Sequence, residues 1–192
     1  MTYCTLAQVK TYLGSEIVTD DALLEDMIDY AQAVIDDTTQ KTYEAATDTT
    51  RYFDAVKDVI GTTLYFDTPI VSITSITNGD GVAVAAASYV TTPLNDTPYW
   101  GVKIKSDQSI YWTYNDAREN AITVVGKWAY SLTAPNAIKH ACIRLAAFLY
   151  RQRDSSSDFD RPVVVEGAMT ILPGDLPRDV LRLLAPFMPV TL

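Results

Sequence analysis

The residues that most often do chemistry are few in this chain and poorly spaced for it. The single histidine, His140, stands between Lys139 and Ala141 in a segment of helical periodicity. A nucleophilic triad would need a serine or cysteine bonded to that imidazole and an acid behind it. Cys142, two residues on, falls on another face of the same helix, so a hydrogen-bonded structural histidine is expected. Cys4 and Cys142 are far apart in sequence, each in an apolar helical context. They are expected as two small buried hydrophobes of a reducing cytosol rather than as a disulfide. Neither has CxxC spacing, and one histidine with two cysteines would be an unusual zinc site. No GxxxxGK[ST] or GxGxxG run occurs, so nothing cradles a phosphate. No catalytic residue, metal or cofactor is expected.

Two residue classes keep other readings open. Asp54, Asp67 and Asp80 fall near strand ends. A hydrolase would need two of them to converge in a cleft, whereas aspartate at a strand end commonly serves the turn. Twelve tyrosines stand with Trp100, Trp112 and Trp128. Such rings can build a sugar-binding platform, but they more commonly fill a core or anchor an interface. A ligand- or carbohydrate-binding β-module on a helical stem is therefore the alternative reading. An exposed coplanar pair among Trp100, Trp112 and Tyr114 would favour it.

The elements that would hold these residues change character along the chain. Helical periodicity runs over 5–38. Thr5 is an N-cap with Gln8 completing a capping box, Cys4 and Val9 form a hydrophobic staple, and Gly14 ends the helix. A second helix starts at Thr19, with Asp20 and Asp21 opposing its dipole. Leu23, Leu24, Met27, Ile28, Ala31, Val34 and Ile35 form its apolar stripe. Glu25, Asp26, Asp29, Asp36 and Asp37 fan around the rest, as a solvated face does and a metal site does not. From residue 50 the period becomes two. Strands are expected at 51–54, 64–67, 70–77, 89–92, 102–105, 110–113 and 121–125. Asn78-Gly79-Asp80-Gly81 predicts a type I′ hairpin turn. Helices return at 135–153, behind Pro135, and at 177–186. The polar stretch 154–162 and a possible hairpin over 163–172 lie between them.

The fold class is therefore α+β: a bundle of N- and C-terminal helices with an inserted antiparallel β-sandwich or small barrel. The helical core takes 1–49 and 131–192 and the β-rich insertion 50–130. With 192 residues, 48% of them hydrophobic, the chain can bury a core without staples. No apolar run approaches the ~18 residues of a membrane span, and the first ten residues do not read as a signal peptide. The net charge of −9 is uneven. Residues 1–60 hold twelve acidic and four basic side chains, whereas Lys139, Arg144, Arg151 and Arg153 meet no acid within their own helix. This asymmetry suits identical copies meeting acidic helix to basic helix in a head-to-tail ring. It does not suit sequence-specific DNA binding.

Several motifs, in order, carry a family resemblance. They are Asp21-Ala-Leu-Leu-Glu25 with Ile28-Asp-Tyr-Ala31, Arg51-Tyr-Phe-Asp54, Leu64-Tyr-Phe-Asp67 with Pro69, and the 72–81 strand and turn. Gly126-Lys-Trp-Ala-Tyr-Ser131, Pro135, the 145–153 helix end and Leu184-Ala-Pro-Phe187 follow. Together they resemble the head–tail connector (adaptor, or head-completion) proteins of tailed bacteriophages. The resemblance implies a non-enzymatic virion protein at the head–tail interface, assembled in the bacterial cytoplasm. It would form a ring, usually a dodecamer, beneath the portal protein. The ring would extend the channel for non-specifically contacted double-stranded DNA and receive the tail or the next adaptor or terminator protein; no membrane is involved. Subunit-interface candidates are Asp26, Asp29, Arg144, Arg151 and Arg153. Portal-docking candidates are Val180, Leu184 and Phe187. The shorter connectors are nearly all helical, so the β insertion departs from them.

Overall fold

The computed structural model describes residues 2–14, 18–152 and 176–189. Arg153, the polar stretch 154–162 and the expected hairpin over 163–172 lie outside the described residues. The chain divides into two compact units, one of Thr2–Gln40 with Pro135–Leu192 and the other of Lys41–Ala134.

The first unit is helical. Helix α1 (Leu6–Leu13) carries the expected capping box: the Thr5 hydroxyl accepts from Gln8 N–H, and the Gln8 side chain accepts from Thr5 N–H. Gly14 closes it with φ +68°, which glycine takes without steric cost. Helix α2 (Asp21–Thr39) buries Leu24, Ile28, Ala31, Ile35 and Thr39. It begins two residues later than its sequence suggests, with Asp20 at the N-cap. The Asp20 carboxylate makes no capping bond and instead accepts the Tyr150 hydroxyl at 2.6 Å. Helix α3 (Asn136–Gln152) packs on both, and helix α4 (Arg178–Leu184) packs on α3 before a 3₁₀ turn over Ala185–Phe187. Ile138, Ala141, Cys142, Leu145, Ala146 and Ala147 are buried in α3. The small residues among them let neighbouring helices approach closely, and each large one contributes about 1.5–3 kcal/mol by its burial.

The second unit holds two antiparallel sheets. Strands β1 (Thr49–Phe53), β7 (Ile122–Lys127) and β4 (Ser72–Thr77) form one, in the order β1-β7-β4. Strands β2 (Val59–Ile60), β3 (Thr63–Ile70), β6 (Tyr99–Ile104) and β5 (Tyr89–Thr92) form the other, in the order β2-β3-β6-β5. Both feed one core, which includes Phe53, Ile76, Ile122 and Val124 from the first sheet and Leu64, Phe66 and Val102 from the second. Phe53, Phe66 and Trp128 pack ring on ring at 5.3–5.7 Å between centroids.

Three sequence expectations change here. The alternation over 70–77 is not one strand. It breaks at Val71, whose N–H bonds to Lys127 C=O, and the chain passes there from one sheet to the other. A bulge at Thr74, between the pairs Ile73↔Gly126 and Ser75↔Val125, accounts for the two consecutive polar residues Thr74 and Ser75.

The second change is at 110–113, which forms no strand. The Asn78 side chain donates to Tyr111 C=O at 2.8 Å and to Thr113 Oγ1 at 3.2 Å, and accepts from Thr113 N–H at 3.1 Å. One buried amide thus does for this segment what a ladder would otherwise do.

The third is the turn at 78–81, which is not type I′: of its residues only Gly81 has positive φ, at +83°. Gly81 N–H bonds to Asn78 C=O and Asn78 N–H to Val82 C=O, the pattern of a type I turn with a glycine bulge. Gly79 is required for space instead. A Cβ there would lie 2.2 Å from Thr113 O.

Candidate functional site

The flanks of the helical unit are where the sequence places contact with other chains, and they differ. Two sides of α2 are distinct because its buried stripe covers only part of the helix surface. Glu25 and Asp29 line a recess of about 310 Å³ with Thr2, Cys4, Thr5, Leu6 and Ile28. On the other side Tyr30 and Val34 line a groove of about 280 Å³. Leu145, Phe148, Leu149 and Gln152 of α3 face it, with Leu176 and Pro177 closing the end. Tyr30 is 59% exposed and Phe148 37%. One flank is therefore acidic and the other apolar and aromatic.

The interface candidates fall unevenly on this frame. Asp26 and Asp29 are exposed on α2, and Arg151 is exposed near the end of α3. Arg144 is already engaged within its own chain. Its guanidinium lies 2.5 Å from the Asp179 carboxylate, an acid that comes from α4 and not from its own helix. Asp179 lies 35 residues further on, which is why the helix sequence alone gives no sign of it.

The portal-docking candidates also separate. Val180 and Leu184 are fully buried and serve the core of the helical unit, which removes them from any docking surface of this fold. Phe187, on the 3₁₀ turn, is half-buried. Their four-residue spacing on α4 turns both to the same inward face.

In the β unit Asp54 and Asp80 serve turns, whereas Asp67, expected near a strand end, lies within β3 and forms an ion pair instead. The Asp54 carboxylate accepts from Val56 N–H at 2.7 Å and Lys57 N–H at 2.8 Å. Those two bonds, Lys57's the larger, hold its carboxyl below the usual range, with Arg118 adding to the effect. Asp67 pairs with Arg51, and Asp80 accepts from Val82 N–H. Among the described residues no group of three or more His, Cys, Asp or Glu is placed to hold a metal ion.

The aromatic residues divide between core and surface. Trp128 is buried and carries the Arg51 guanidinium 4.9 Å from its ring centre. Trp112 packs against the β core and donates its indole N–H to Thr62 C=O at 3.0 Å. Trp100 and Tyr114 are 45% and 46% exposed. Of the three rings that could supply an exposed coplanar pair, Trp112 is thus partly buried against the core, while Trp100 and Tyr114 are exposed.

What the sequence did not suggest is the meeting of its two cysteines. Cys4 Sγ and Cys142 Sγ lie 3.2 Å apart, both buried and both free thiols. The hydrogen bond between them lowers the Cys4 thiol and raises that of Cys142, and burial pushes Cys142 further up. Among the described residues no helix is long and apolar enough to cross a membrane.

The fold is thus α+β: four packed helices with two antiparallel sheets inserted between α2 and α3. It resembles solved chains of gene transfer agent (GTA) particles. A chain in the neck of an empty GTA particle, computed with C6 symmetry, matches with a TM-score of 0.58 at 17% identity, over 97% of this chain and 90% of that one. A chain in the neck of a native GTA particle, computed with C12 symmetry, matches at 0.55 and 15% over 97% and 89%. One in the virion of a native gene transfer agent (GTA) particle matches at 0.57 and 17% over 97% and 90%. At these identities the likeness is one of fold. No family model and no curated protein matches the sequence.

Proposed function

We propose that this chain is a structural, non-enzymatic neck component of a phage-like particle. Copies of it form a ring beneath the portal, extend the channel through which DNA passes and join head to tail. The observation that carries this reading is the fold likeness over 97% of the chain to proteins of a particle neck, solved with six- and twelve-fold symmetry.

The unlike flanks of the helical unit support it. A closed ring is built from heterologous contacts, in which one flank of a copy meets the other flank of the next. An acidic side bearing Glu25 and Asp29, with Asp26 exposed on α2, and a groove side lined by Gln152 next to Arg151 supply two such flanks. With Arg144 held by Asp179, Arg151 is the interface cation of choice in α3. The net charge of −9 per copy gives a ring of many copies a strongly negative field, which keeps DNA mobile where acid faces the lumen. Phe187 is the remaining docking candidate for the portal among Val180, Leu184 and Phe187.

Native mass spectrometry and negative-stain imaging of the purified chain, alone and mixed with its portal, test the reading. A ring in either sample supports it. A chain that stays monomeric and unbound in both overturns it.

A further inference from the structure

The recess on the acidic flank of α2 is lined in part by a buried cysteine. Cys4 lines it with Thr2, Thr5, Leu6, Glu25, Ile28 and Asp29, and behind Cys4 lies Cys142, in the middle of α3. The two positions are 138 residues apart in sequence, yet their sulfurs are 3.2 Å apart. A disulfide needs roughly 2.05 Å between sulfurs, so closing it asks for an approach of about 1 Å. Neither thiol is tied to a histidine, a metal or a third cysteine, and the function proposed above uses neither.

We propose that Cys4 and Cys142 are a modification site: a dithiol that a small-molecule disulfide entering by the recess converts to an intramolecular disulfide, stapling the N-terminal segment to α3. The Cys4 sulfur attacks the reagent's S–S bond and forms a mixed disulfide, expelling one small thiol. The Cys142 sulfur then attacks the Cys4 sulfur and expels the second. Two protein thiols lose two electrons and two protons, and one reagent disulfide becomes two thiols. Cys4 acts first because it lines the recess and because its thiol is the one lowered by the pair's hydrogen bond. The staple rests on this geometry alone. On the neck reading it gains a use, since a chain made in a reducing cytosol and carried out in a particle meets oxidant after assembly.

Glu25 and Asp29 at the recess set the reagent's charge. A cationic disulfide should enter faster than an anionic one of similar reactivity. Cystamine, hydroxyethyl disulfide and oxidised glutathione supply positive, neutral and negative probes. The full-length folded chain is incubated with each and followed by intact mass and non-reducing peptide mapping. The expected product is the chain less two hydrogens with a Cys4–Cys142 cross-link, formed several-fold faster with cystamine than with oxidised glutathione. Glu25→Gln with Asp29→Asn should narrow that ratio. The bridged chain should melt roughly 5–10 °C above the reduced one, reversibly with dithiothreitol. Cys142→Ala should stop at a single adduct on Cys4. Two stable adducts per chain, unreacted thiols, a cross-link between chains, or a bridged form that melts below the reduced one would each overturn the proposal.

Discussion

Tyr150, near the end of α3, donates its hydroxyl to the carboxylate of Asp20 at the start of α2, 130 residues earlier, at 2.6 Å. The bond joins a residue before the β insertion to one after it. It also explains an odd cap: Asp20 stands at the N-cap of α2 but gives its oxygen to Tyr150 rather than to the helix's own amides. Tyr150→Phe should cost about 1.5–3 kcal/mol, the range for a hydrogen bond to a charged group. Thermal unfolding checks it, and an unchanged melting temperature would show that the bond is replaced by water.

Arg144 and Asp179 are both substantially exposed, so their ion pair is worth little, roughly 0.2–1 kcal/mol. Arg144→Glu should lower stability slightly by placing like charges together, and adding Asp179→Arg should restore it. If Arg144 serves only α4, ring formation in native mass spectrometry should also recover in the double variant. Arg151→Glu, in contrast, should weaken ring assembly while leaving the melting temperature of the single chain in place.

Leu184 and Phe187 are three residues apart and should respond oppositely. Leu184 is fully buried, and Leu184→Ala should cost about 2–4 kcal/mol through the cavity it leaves. Phe187→Ala should cost well under that. On the neck reading it should instead reduce portal capture in a pull-down at unchanged fold by circular dichroism.

Glycines in the β unit test close approach against backbone conformation. An alanine at Gly79 would put its Cβ 2.2 Å from Thr113 O and 2.8 Å from Ala121 Cβ, and one at Gly126 would meet Ser72 O at 2.2 Å. Either substitution should destabilise the unit by roughly 1–3 kcal/mol or more, since backbone rather than a flexible side chain must move. Gly81→Ala meets open space and should cost only about 1 kcal/mol, for its φ of +83°. Urea unfolding followed by tryptophan fluorescence separates the cases.

Two carboxyls, Asp54 and Asp36, should contribute to pH-dependent stability with opposite sign. Asp54 in the β unit has its carboxyl lowered by the Lys57 and Val56 amides. Its contribution is present above the ordinary carboxyl range and is lost as pH falls through the lowered value. Asp36 in α2 has its carboxyl raised by burial, with the Tyr3 hydroxyl opposing. Its contribution is complete below the ordinary range and is lost as pH rises through the raised value. Asp36→Asn should therefore gain on the wild type in melting temperature as pH climbs from 4 to 7. Asp54→Asn should lose most at neutral pH and converge with the wild type in acid. Melting curves over that range check both signs.

The local devices were legible because each is decided within a few residues. Thr5 with Gln8 caps α1, Gly14 ends it, and the stripe of Leu24, Ile28, Ala31 and Ile35 faces inward, all from capping chemistry and helical period. The change to period two near residue 50 announced the sheets. By itself, then, the sequence determined the kinds of element, their order and the α+β class. The tertiary structure decided what depends on distant partners. It split the strand signal at Val71 between two sheets and gave 110–113 to the Asn78 side chain instead of a ladder. It matched Arg144 with Asp179 and buried Val180 and Leu184 of α4. It also brought Cys4 to Cys142 across 138 residues. Periodicity fixes which way a side chain faces along its own element; which neighbour it then meets is set by packing between elements, and that has no period to read.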